Sequence, residues 1–353
     1  MSKFLNRKYQ SLEAYTPGEQ PKNMVYIKLN TNESPYPPGP KVQAAISCEE
    51  ARSLRLYSDP ESSKLKEAIA KRYGVKAPNV YVSNGSDDIL NFAFMAFAGG
   101  KTEVMFPEIS YGFYQVFADL YNLKYTKVPL KPDFSIDRTD YVAQNKMIVI
   151  ANPNAPTGKT LSLFEIEEIV RTNPENVVII DEAYVDFGAE SAVELTFKYE
   201  NLLVVQTFSK SRSLAGARLG FAIANEALIA DLEKIKFSTN PYNVNRITSA
   251  AGIAAIGEDD YYMENCKRIM ATRERTMEEL KALGFHIVPS KANFIFAKSD
   301  RVGGEELYRK LRAEGILIRH FNNEAIKDYN RITIGTDEEM DKLISSITTI
   351  IKG

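Results

Sequence analysis

The chain has 353 residues, 44% of them hydrophobic and 25% charged, which excludes a collagen, a mucin or a disordered tail. Its 44 basic and 46 acidic residues leave a net charge of −2. That balance lacks the basic excess of a nucleic-acid binder and the field of a membrane-surface protein, so neither partner is expected.

Residues 1–40 are rich in Pro, Asn and Gly, with TPGEQP at 16–21 and NESPYPPGP at 32–40, and read as an extended arm. A helix is expected over 62–73, with Leu65, Ile69 and Tyr73 on one face and Gly74 as its stop. Short apolar runs then recur at 80–82, 104–106, 147–150, 177–180, 202–205 and 221–223. They lack polar alternation, as strands buried on both faces do. Helical stretches such as 163–171 lie between several of them, so the pattern predicts an α/β fold with a mostly parallel sheet covered by helices. From about Ile247 long helices dominate, followed by strand-like HIVPS and NFIFA, a helix over 304–314, ILIRHF, RITIG and a final helix. Cys266 falls on an apolar helical face and reads as core. The expected division is an arm at 1–40, a large domain at 41–250 and a smaller α+β C-terminal domain at 251–353.

Cys48 and Cys266 form no close pair, so a reducing compartment, the cytoplasm, is expected. The first ten residues lack a signal-like apolar run, and no stretch reaches the roughly 18 apolar residues of a membrane span. With only His286 and His320, no multi-histidine metal site is expected.

Unusual polar groups follow the apolar runs. They are Ser83-Asn84-Gly85-Ser86-Asp87, Ser110-Tyr111-Gly112, Asn152 to Gly158, Asp181-Glu182-Ala183-Tyr184 and Thr207-Phe208-Ser209-Lys210. In open α/β sheets ligands bind at the carboxyl ends of strands, so five such loops imply one crevice. Two chemistries compete for it. A P-loop nucleotide site would use Gly158-Lys159-Thr160, but Pro153 stands where that loop needs a glycine amide, so a P-loop ATPase fits poorly. A pyridoxal phosphate site needs a lysine, a carboxylate, a phenol and groups for a phosphate. Lys210, Asp181 and Tyr184 supply the first three. Thr207, Ser209, Arg218 and the amides of Gly85 and Ser86 at a helix start supply the rest.

At this point the chain resembles the fold-type I pyridoxal phosphate aminotransferases, and within them the histidinol-phosphate branch. The resemblance spans nearly the whole chain. It rests on YTPGEQP at 15–21, LNTNESP at 29–35, Tyr57, DEAY at 181–184, the lysine segment at 207–220, PYNVN at 241–245 and RITIG at 331–335. It implies that Lys210 holds the cofactor covalently and moves the α-proton. It also implies that Asp181 pairs with the pyridinium nitrogen and that Tyr184 bonds the ring oxygen. Ser209, Thr207, Arg218, Gly85 and Ser86 would hold the phosphate, and Tyr111 would stack on the ring. Tyr57 would reach the cofactor of the neighbouring subunit in a homodimer. Arg331 would bind the carboxylate of glutamate, and Arg319, with Tyr15 and Asn32, would help receive a substrate phosphate. One position departs from the pattern: Ala155 stands directly before Pro-Thr-Gly, where the family has asparagine, and Asn154 is the candidate replacement. The expected reaction converts histidinol phosphate and 2-oxoglutarate to imidazole-acetol phosphate and glutamate. Aromatic amino-acid transamination and threonine-phosphate decarboxylation are the alternatives within the fold.

Overall fold

All six apolar runs form strands, and the computed structural model, which describes residues 5–352, shows why they lack alternation. Joined by one further strand, β4 (Tyr125–Val128), they build a seven-stranded sheet as β2 (Val80–Ser83), β3 (Val104–Pro107), β5 (Met147–Ala151), β6 (Val178–Asp181), β7 (Leu202–Thr207) and β8 (Gly220–Ala224). Ahead of them in the chain lies the short β1 (Ile27–Lys28). Successive residues of β5 and β6 enter opposite cores. Ile148, Ile150, Val178 and Ile180 join one, while Met147, Val149 and Ile179 join the other. Both faces are covered, so both positions of the two-residue period are apolar.

The sheet order is β2-β8-β7-β6-β5-β3-β4. Within it β8 alone runs against the other strands. The carboxyl ends of β2, β3, β5, β6 and β7 therefore share one edge with the amino end of β8. Gly220 opens β8 opposite both Ser83 and Thr207. Reversal of this one strand brings Arg218 to the edge where the other loops end. The sequence reading missed β4, an edge strand with only Val128 buried.

The C-terminal part has a four-stranded antiparallel sheet in the order β12-β13-β10-β9. Its strands are β9 (Phe285–Val288), β10 (Phe294–Ser299), β12 (Arg319–His320) and β13 (Asn330–Thr333). The long helix Asp259–Ala282 and the helices Gly304–Ala313 and Asp337–Lys352 cover it. Cys266 is buried in this core, as expected. The boundary expected at residue 250 and the arm expected at 1–40 both fall within packed structure. Position 250 lies inside the helix Arg246–Ile256, whose Ala251 and Ala255 pack under the large sheet. The arm packs on the C-terminal part. Its β1 pairs in parallel with β11 (Ile316–Leu317), and Leu29 is buried in the C-terminal core.

Close approach fixes one glycine. A Cβ on Gly220 would lie 2.4 Å from the Ser86 amide nitrogen and 2.6 Å from the Gly85 carbonyl carbon. Backbone cannot yield as a flexible side chain can, so Gly220→Ala should displace the start of the helix Ser86–Phe97. We expect a loss of about 1–3 kcal/mol in urea unfolding. Gly216→Ala, with nothing within 4 Å of the added atom, should change stability far less.

Candidate active site

The strand ends open on a cavity of about 490 Å³. Lys210, just beyond β7, lines it with Thr207 and Ser209, and its Nζ donates to the Thr31 carbonyl at 3.0 Å. Burial, with the Arg331 guanidinium as the next cause, lowers the ammonium from the usual lysine value to about 8. An amine so placed exchanges protons near neutral pH.

Asp181 ends β6 and is buried. Its Oδ2 accepts from the Tyr114 hydroxyl at 2.8 Å, while its Oδ1 is buried with no partner. Burial raises the carboxyl to about 6, against the pull of the Tyr114 bond. An unpartnered buried acceptor costs free energy until a donor arrives. Tyr184, three residues on, accepts from Asn32 Nδ2 at 2.9 Å, which leaves its own proton free to donate. Burial raises the phenol above its ordinary value.

An anion cradle forms where the helix Ser86–Phe97 begins. Its first amides and dipole face the cavity side that Ser86 lines. Arg218 adopts a left-handed backbone (φ 54°), a strained conformation for a non-glycine residue, and pairs with Asp87 at 3.0 Å. Gly85 (φ 90°) leaves room for that guanidinium: a Cβ there would lie 2.8 Å from it. Below the cradle, Asn243 of the PYNVN segment donates to Ser83 at 2.7 Å and to Asp88 at 2.8 Å. Asn245 of that segment caps the helix Arg246–Ile256.

Tyr111 lines the cavity and donates to Asp87 at 2.7 Å. Tyr15 stacks on Phe113 at 4.1 Å and meets Tyr111 edge-on, so the arm packs on this turn. Arg331 makes one hydrogen bond, to the Asn30 carbonyl at 2.9 Å, and its Nε is buried without a partner. Burial lowers its ordinary value.

Several expected residues have other partners in the folded chain. Asn154, the candidate replacement for the missing asparagine, is engaged by its neighbours. Its Nδ2 donates to Ile109 O and Thr157 Oγ1, its Oδ1 accepts from Ser110, and Ala155 lines the cavity instead. Asn32 bonds Tyr184 and Thr333, so it holds the tyrosine rather than facing open space. Arg319 donates to the Thr16 and Pro17 carbonyls at 3.3 Å and clamps the arm. Tyr57 is 79% exposed, stacked on Tyr242 at 4.5 Å, and lines no part of the cavity. Lys159 of the P-loop reading pairs with Asp133 away from the cavity. The sequence reading gave no role to Asp87, which joins Tyr111 to Arg218, or to Tyr114. The acidic pair after Ser86 was a signal for Asp87; Tyr114 looked like any core tyrosine.

The model for aminotransferase class I and II matches residues 25–347. The chain belongs to the class I and II aminotransferases. A histidinol-phosphate aminotransferase of Brachyspira hyodysenteriae is 53% identical to this family member over 353 residues, 100% of each chain. One from Clostridium acetobutylicum is 47% identical over 99% of this chain and 100% of its own. Among solved structures, the fold matches histidinol-phosphate aminotransferase from Sinorhizobium meliloti in complex with pyridoxal-5'-phosphate. The TM-score there is 0.85 at 26% identity, over 93% of this chain and 92% of that one. Among the described residues no helix is long and apolar enough to cross a membrane.

The Asp181 carboxyl has a stability consequence. Its value rises on folding from 3.8 to about 6, so the folded chain holds the proton more tightly than the unfolded one. The ionised form therefore costs stability. The cost is absent below pH 3.8, grows through about pH 6 and persists above it. Asp181→Asn should stabilise the cofactor-free aminotransferase by about 1–3 kcal/mol near pH 8 and by almost nothing near pH 4. Urea unfolding at the two pH values measures this.

Proposed function

We propose that this aminotransferase uses pyridoxal phosphate to exchange the amino group between L-histidinol phosphate and 2-oxoglutarate in histidine biosynthesis. The observation that carries the cofactor reading is the buried, unpartnered Asp181 Oδ1 in the cavity that also holds the Lys210 amine. A ring N–H is the donor that atom lacks, and an aldehyde is the partner of such an amine. When bound, the cofactor supplies the carbon that carries the amino group and the ring that accepts the electrons released at the substrate carbon.

The residues divide the remaining work. The Arg218 fork, the Ser209 and Thr207 hydroxyls and the amides at Gly85 and Ser86 suit a phosphate dianion. Asp181 would keep the ring nitrogen protonated. Tyr184, oriented by Asn32, would donate to the ring oxygen without help from Asn154. Tyr111 would cover the ring. Lys210 Nζ takes the proton from the substrate carbon and returns it.

Arg319 and Arg331 support the substrate reading. They are direct partners across the antiparallel pair β12 and β13. Like charges placed so repel unless an anion lies between or beside them. Glutamate brings a carboxylate and histidinol phosphate a phosphate, and both accept the arginine fork. The relatives named for histidinol phosphate match over their whole lengths, which favours that substrate over phenylalanine or threonine phosphate. We further propose a homodimer in the cytoplasm. Leu54 and Leu56 are each 52% exposed near Tyr57, an apolar patch suited to a second copy.

Loss of one partner of a buried charge-assisted pair costs about 2–5 kcal/mol. Arg331→Ala should lower kcat/KM for both substrates by roughly 10²–10³-fold. Arg319→Ala should reduce the half-reaction rate more for histidinol phosphate than for glutamate. Equal losses would remove the argument for a phosphate pocket, and a wild-type enzyme that ignores histidinol phosphate but accepts phenylalanine would move it to the aromatic group. For the dimer, mixing Tyr57→Ala with Lys210→Ala should restore activity after subunit exchange, because one intact site forms per mixed dimer. Confirmed exchange without recovery would confine Tyr57 to its own subunit.

A further inference from the structure

The arm enters the cavity at Thr31 and Glu33, which both line it beside Lys210. The Thr31 carbonyl accepts from Lys210 Nζ at 3.0 Å. The Thr31 hydroxyl donates to Glu33 Oε2 at 2.8 Å. Lys28 donates to Glu33 Oε1 at 2.8 Å and lies 2.7 Å from Oε2. Between the two, Asn32 takes a left-handed backbone (φ 57°) and is fixed to Thr333 through its own amide. This turn is therefore rigidly placed, and one residue, Thr31, presents its carbonyl to the lysine and its hydroxyl to the glutamate.

The surroundings of Lys210 give the carboxylate a task. Arg331 from β13 and Arg218 ahead of β8 oppose a positive amine, while Asp87, Asp181 and Glu33 favour it. The Tyr184 ring lies 5.8 Å from Nζ. Asp181 is reserved for the ring nitrogen, and Asp87 already bonds Arg218 and Tyr111. Glu33 is the acid on the side of the cavity where the amine rests.

We propose that Glu33 is a positioning residue for Lys210: through Thr31 it fixes a seat for the free amine, and its charge offsets Arg331 and Arg218 when that amine takes the proton. The seat holds Nζ after it has left the cofactor, with the proton lifted from the substrate carbon, until that proton is returned. The inference rests on the reading of Lys210 as the proton carrier. It goes beyond that reading by giving the arm a part in the proton step.

The test uses the holoenzyme and the half-reaction with glutamate, so the identity of the second substrate does not enter. Glu33→Gln removes a negative charge beside the amine and should move the acidic limb of the kcat profile to lower pH by about 0.5–1 unit. The KM for glutamate should change less than about twofold, since Glu33 is not a glutamate ligand. Lys28→Gln leaves Glu33 unneutralised and should move the same limb to higher pH. A mere staple between arm residues predicts like effects, because each substitution breaks the same ion pair. Thr31→Val keeps the carbonyl but frees Glu33 and should shift the limb in the direction of Glu33→Gln. Glu33→Asp, which keeps the charge, should return it towards the parent. The absorbance of the bound cofactor, titrated without substrate, should show the same opposite shifts. If Glu33→Gln fails to fold, Lys28→Gln and Thr31→Val decide. Shifts of one sign, or none, overturn the seat alone. A parent enzyme inert to glutamate overturns the aminotransferase chemistry and the seat with it.

Discussion

Burial of ionisable groups at the carboxyl edge of the large sheet sets the terms for everything around it. Asp181 and Lys210 lie where strands covered on both faces come to an end, so water reaches them poorly. That moves the carboxyl up to about 6 and the ammonium down to about 8, toward each other and toward neutral pH. The same groups would titrate far apart on an open surface. Tyr114 secures one Asp181 oxygen and leaves the other for a ligand. Lys210, Arg218 and Arg331 stand against Asp87, Asp181 and Glu33, so the charges nearly balance before any ligand enters.

The architecture that builds this edge also delivers its parts. Parallel strands point their carboxyl ends one way, which brings the loops after β2, β3, β5, β6 and β7 together. The reversed β8 adds Arg218 from the opposite chain direction. Gly220 permits the approach that sets the amides of Gly85 and Ser86 at the same edge. The N-terminal arm then covers the C-terminal side. It pairs through β1 with β11, places Asn32 on Tyr184, and rests Tyr15 on Phe113. A segment rich in Pro and Asn thus becomes part of the site wall.

The alternation of apolar runs with helices was enough to place the fold class. The runs are legible because double burial makes every position of a strand apolar, a local signal. Lys210, Asp181, Tyr184 and Arg218 were legible for a related reason: each follows or precedes one of those strands by a few residues. β4 escaped because an edge strand buries little and carries no such run.

What the sequence determined by itself was the set of groups at the strand ends and the chemistry they share. Tertiary structure alone decided which of them face the cavity and which support their neighbours. Asn154 and Ala155 are adjacent, yet only the folded chain shows Ala155 on the cavity and Asn154 spent on Ser110 and Ile109. Asn32 meets Tyr184 across 152 positions, Tyr114 meets Asp181 across 67, and Arg218 meets Asp87 across 131. Periodicity reports only what lies within a turn or two of helix or strand. Hydrogen bonds that close over such distances depend on how the elements pack, and packing is fixed by burial of the whole core rather than by any local pattern.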